Sequence, residues 1–96
     1  MSLPQSTTEL KLEHSITHNG KEIGALNIRR PKVRDNLIAG KKPDDGDKEI
    51  CLMGLLAGVD ETVIHELDML DYLAFQEVIM GFRKKPKSES ETSKEQ

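Results

Sequence analysis

Ninety-six residues are enough for one small domain with tails and too few for two independent cores. With 32% charged and 35% hydrophobic residues the composition is that of a globular protein, and a net charge of -3 is too mild to name a partner. The longest nearly unbroken apolar run, Ile50 to Val59, is about half the ~20 residues a membrane-spanning helix needs, and Met1 to Glu9 lacks the basic and apolar regions of an export signal. Cys51, the single cysteine, has apolar neighbours and reads as a packed thiol in a reducing cytoplasm. Tyr72, Phe75 and Phe82 are the only aromatic residues, so stacking platforms for bases or sugars are not expected elsewhere.

Residues 1–8, with Pro4 among Ser, Gln and Thr residues, are expected to be flexible, ahead of a single domain over residues 9–84. In that domain Leu10, Leu12, His14 and Ile16 alternate with Lys11, Glu13, Ser15 and Thr17, a period of two that predicts a half-buried strand. Asn19-Gly20 follows, and both residues tolerate the positive φ of a type I′ turn. A second strand is predicted from about Glu22 to Arg29. There Leu26 and Ile28 are in phase, Ile23 is not, and Gly24 stands between them, so a bulge or a late start of pairing is expected near Gly24.

Pro31 suits the first turn of a short helix running to Ala39 and closed by Gly40. Lys41 to Asp47 reads as a loop whose acidic end precedes a helix over Lys48 to Ala57, where carboxylates favour the positive end of the macrodipole; Gly58 ends that helix. Asp60 is placed to cap a short helix with Val59 and Ile64 as an apolar staple, and Asp68 to cap a long one with Leu67 and Tyr72 in the same relation. The long helix is predicted from Met69 to about Lys84. Residues 85–96 contain no apolar side chain to offset their ordering entropy and are expected to form a disordered polar tail. The fold class is therefore α+β: an N-terminal β-hairpin followed by a small bundle of about four helices.

Residues that could carry chemistry do not assemble into a recognisable set. If Gly46 took the sixth position of a calcium loop, Lys41 would stand first and Leu52 twelfth, where carboxylates are required. His14, His18 and His65 lack metal-ligand spacing, and no nucleophile elbow or phosphate-binding glycine loop exists. No enzyme, metal or cofactor is expected. From Arg29 to Lys42 six cations face Asp35 alone, a balance of +5, whereas Asp44 to Asp71 carries -8. The basic segment 29–42 supports a rival reading as a small nucleic-acid-binding regulator through Arg29, Arg30, Lys32 and Arg34. No helix-turn-helix, zinc module or interleaved aromatic accompanies it, so solvation or pairing with the acidic helices is the expected fate of these charges.

The helices hold more apolar area than one seam needs. From Ile50 to Ala57 apolar residues point nearly all round the helix, and in the last helix Phe75, Val78 and Phe82 widen the stripe of Met69, Tyr72, Leu73, Ile79 and Met80. Leu52, Leu55, Leu56, Tyr72, Phe75, Ile79 and Phe82 are the candidate partner-binding groove, with methionines as deformable contact surface. On this reading Phe75→Asp with Ile79→Asp is expected to abolish partner binding and leave the hairpin folded.

The order of Leu26-Asn27-Ile28-Arg29-Arg30-Pro31, Leu55-Leu56-Ala57-Gly58-Val59 and Leu67-Asp68-Met69-Leu70-Asp71-Tyr72 over about Leu10 to Phe82 resembles the tail assembly chaperones of contractile-tailed bacteriophages and prophages, the tail protein E group. The resemblance implies a cytoplasmic protein, absent from the mature virion, that binds the tape measure protein and brings tail tube protein to it. It also implies a longer frameshifted product in many members. Coating a long rod needs many copies, so self-association is expected. Arg30-Pro31-Lys32 is more basic than the family's usual pattern.

Overall fold

The computed structural model describes residues 7–84, which form two strands and four helices; Met1 to Ser6 and the expected polar tail at 85–96 lie outside the described residues. Strands β1 (Thr7–His18) and β2 (Lys21–Arg29) make an antiparallel hairpin, so Thr7 and Thr8 of the expected flexible stretch are paired, with Arg29 and Ile28. Asn19 and Gly20 both take positive φ, 52° and 77°, the two-residue turn their identities predict.

The register breaks between Lys11, opposite Ala25, and Ile16, opposite Ile23. Leu12 to Ser15 thus stand across from Gly24 alone, so the irregularity expected near Gly24 is carried by surplus residues in β1. This corrects the expected alternation: Ile16 is buried, but His14, in phase by sequence, is exposed on the bulge. It also brings Ile23 opposite Ile16 despite its odd spacing from Leu26.

Helix α1 (Val33–Ala39) starts two residues after Pro31 because Lys32 is extended, with φ -117° and ψ 164°, and donates its N–H to the Asp35 carboxylate at 2.8 Å. Helix α2 (Asp45–Ala57) starts three residues before Lys48, since Asp44 accepts from the Asp47 N–H at 2.9 Å and turns the acidic end of the loop into the first helical turn. Gly58 ends it in the left-handed region at φ 69°. Asp60 and Asp68 cap α3 (Glu61–His65) and α4 (Met69–Arg83) through the N–H groups of Thr62 and Leu70, both at 3.0 Å.

The core is built around α2, which contacts α1, α3 and β2, while α4 packs on β1. Ile28, Met53 and Phe75 are fully enclosed, with Leu26, Leu52, Leu56, Val63, Ile64 and Ile79 in the same cluster. Each such side chain contributes roughly 1.5–3 kcal/mol on burial. So short a chain does enclose the apolar helix 45–57: Cys51 to Gly54 and Leu56 are buried, Leu55 partly so. No helix of the described residues is long and apolar enough to cross a membrane.

Candidate protein-docking site

Three carboxylates fix the elements that frame the site. Asp35, 1% exposed, receives both guanidinium nitrogens of Arg29 at 2.8 Å as well as the Lys32 N–H, tying the end of β2 to the start of α1. The Arg29 guanidinium beside it, outweighing burial, draws its carboxyl down to about 2. Asp71, also 1% exposed, sits in the first turn of α4 and accepts the N–H groups of Glu13 and His14 at 2.8 and 3.1 Å. These two donors belong to the bulge and lack a cross-strand partner, so α4 satisfies what the broken register leaves open. Glu49 of α2 accepts from Gln76 Nε2 at 2.8 Å and from the Tyr72 hydroxyl, joining α2 to α4. Burial first, and then the Glu49 carboxylate, push the Tyr72 phenol up to about 12.

Between α1, α2 and α4 lies a cleft of about 550 Å³. Ala39, Leu52 and Ile79 provide its apolar surface; Asp45, Lys48, Glu49, Gln76 and Arg83 provide polar atoms, and Met80 stands beside them, 60% exposed. Arg30, in the link between β2 and α1, donates to the Phe82 carbonyl of α4 at 3.0 Å with its guanidinium 5.4 Å from the Phe82 ring centre.

The seven sequence-derived candidates divide sharply by burial. Leu52, Leu56, Phe75 and Ile79 are core residues, and Leu55, Tyr72 and Phe82 are partly buried against that core. Only Leu52 and Ile79 line the cleft, and Leu55 lines a second depression with Cys51, Glu61 and His65. The open apolar surface is carried by Val33, Leu37 and Ile38 on α1 and by Met69, Leu70, Leu73 and Met80 on α4. Of these, Met69, Leu73 and Met80 belong to the stripe predicted from sequence, whereas Val33 and Leu37 lie outside it, although their i,i+4 spacing puts them on one face.

Cys51 is buried, and burial raises its thiol, with Glu61 adding to the effect. Among the described residues no group of three or more His, Cys, Asp or Glu side chains is placed to hold a metal ion. In the basic segment Arg29 is bound to Asp35, Arg30 to Phe82, and Lys42 lies 3.6 Å from Glu61. The arrangement offers a cleft of mixed apolar and polar lining with exposed aliphatic and methionine side chains on two of its helices, a surface suited to docking a protein segment.

A family model described as phage tail assembly chaperone proteins, E, or 41 or 14, matches residues 9–84. Comparison with curated proteins and with solved structures finds no match.

Proposed function

The chain belongs to the phage tail assembly chaperones, and from that premise we propose that it binds the tape measure protein in the host cytoplasm and promotes assembly of the tail tube around it. The observation that carries this reading is the apolar surface of α1 and α4 that stands exposed among the described residues beside the cleft. Large apolar side chains left in water on two helices that line one cleft suit the apolar face of an amphipathic helix, and methionine adapts to varied partners. Tail tube protein is the second expected partner, and self-association on the tape measure rod is part of the same proposal. The proposal includes no reaction and no cofactor.

The rival reading as a nucleic-acid-binding regulator loses support from the internal use of Arg29 and Arg30. Copurification with the tape measure protein tests the proposal. Leu73→Asp with Met80→Asp alters exposed positions, so the fold persists within ~1 kcal/mol and the tape measure protein is lost from the complex. Phe75→Asp with Ile79→Asp does not discriminate, because two buried charges would unfold the domain. Undiminished copurification of the folded Leu73→Asp, Met80→Asp protein would refute the proposed surface.

A further inference from the structure

We infer that the outer edge of β1 pairs with β1 of a second copy of this chain, antiparallel and centred on Leu10, so that two hairpins join into one four-stranded sheet in the order β2-β1-β1-β2. The inference rests on the self-association in the reading above and names the surface that provides it.

The two strands are not equally covered. Leu26 and Ile28 of β2 are buried, whereas the residues opposite them on the same face of β1, Leu10 and Thr8, are half-buried and exposed. The margin of the core therefore runs along the first half of β1. A strand with one neighbour directs half its backbone N–H and C=O groups away from that neighbour, where they are free to pair with another strand. Among the described residues no hydrogen bond reaches the backbone of Thr7 to Leu12 from outside the hairpin; the contacts with Asp71 begin at Glu13.

Charge selects the occupant and the register. Glu9 and Lys11 are exposed on the outer face, stand across from Asn27 and Ala25 within the hairpin, and form no ion pair among the described residues. Two identical antiparallel strands have their two-fold axis at one residue, which faces its own copy. With Leu10 at the axis, Glu9 stands opposite Lys11 of the second copy, and Lys11 opposite its Glu9. On the core side Leu10 then meets Leu10 and Leu12 meets Thr8, which extends the cover over two leucines now only partly buried. An axis at Glu9 or at Lys11 sets like charges face to face, and one at Thr8 leaves Glu9 opposite Thr7. An axis at Leu12 runs the ladder into Glu13 and His14, whose N–H groups Asp71 holds. The paired stretch from Thr8 to Leu12 is about 17 Å long. So small a contact makes a weak, concentration-dependent dimer.

The test is sedimentation equilibrium of the full chain over a range of concentrations, with circular dichroism to confirm that each variant keeps its fold. The parent forms a reversible dimer. Glu9→Lys and Lys11→Glu, each of which sets like charges opposite one another at both ends of the axis, weaken it about tenfold. Mixed together, the two single variants pair with each other at parental affinity, and the double variant Glu9→Lys, Lys11→Glu recovers that affinity alone. A chain that stays monomeric up to about 1 mM, a concentration at which even a 4 kcal/mol association would be half formed, overturns the inference. So does a dimer indifferent to the single variants, failure of the mixture to recover, or a dimer abolished by Leu73→Asp with Met80→Asp and untouched by Glu9→Lys, which assigns the contact to the helices. Tape measure protein that copurifies with a chain incapable of dimerising leaves the docking function standing, and this inference alone falls.

Discussion

Replacing Asp35 by Asn isolates one buried ion pair whose contribution has a pH signature. Its carboxylate takes three charge-assisted or backbone hydrogen bonds at 2.8 Å while 1% exposed, and its pKa falls from the ordinary 3.8 to about 2. That difference, at about 1.4 kcal/mol per unit, corresponds to about 2.5 kcal/mol of folding stability. Because the folded pKa is the lower one, the contribution is complete above about pH 5. It declines as pH falls through about 4 and is gone below about 2, when Asp35 protonates in the folded chain as well. An asparagine keeps one acceptor and has no charge to lose. Urea unfolding followed by circular dichroism should therefore place Asp35→Asn about 2–3 kcal/mol below the parent at neutral pH, a fall of roughly 10–20 °C in Tm for a domain this size. The two should converge as pH drops from about 4 to about 2. Other carboxylates titrate over the same range in both proteins, so the difference between them is the informative quantity. A gap that holds constant with pH, or one below about 0.5 kcal/mol at neutral pH, refutes the assignment of this stability to the Arg29–Asp35 pair.

Tyr72 is the single tyrosine, so phenolate absorbance reads it without interference. Its raised pKa means that its contribution is intact below about pH 10 and is lost as pH rises toward about 12; a midpoint near 10 would show that the Glu49 contact does not persist in solution. Asp71→Asn should cost about 2–3 kcal/mol, because an amide offers one acceptor oxygen to the two bulge donors and sets an NH₂ group against the other. Hydrogen exchange at Glu13 and His14 checks it, and unchanged protection there would contradict the clamp.

Most of the fold could be read from local chemistry. Asn19-Gly20 announces a turn by itself, and Asp60 and Asp68 announce helix starts because the groups they cap lie within two residues. Legibility ends where a local pattern has a distant cause. The surplus residues of β1 are stabilised by Asp71, 58 and 57 residues away from the N–H groups it accepts, so alternation counted along β1 alone puts His14 on the wrong face. The early start of α2 was nearer to hand, since Asp44 is a good capping residue, but the run Asp44-Asp45-Gly46-Asp47 has the composition of a turn as much as of a first helical turn. The candidate groove shows the same limit. An apolar stripe too wide for one seam says that a second face exists; it does not say which face turns inward.

In α4 that choice follows from a polar contact. Phe75 and Asp71 are i,i+4 neighbours, so the face that presents the carboxylate to the β1 bulge also presents Phe75 to the core, and both are essentially enclosed. Glu49 secures the adjoining edge through Tyr72 and Gln76, and Arg30 secures the far end through the Phe82 carbonyl. Apolar burial is non-directional, and Met69, Leu73 and Met80 would be as favourable inside as Phe75 and Ile79. Directional hydrogen bonds from β1, from α2 and from Arg30 in the link between β2 and α1 resolve that degeneracy, and by holding α4 in one rotation they keep its second apolar face outward.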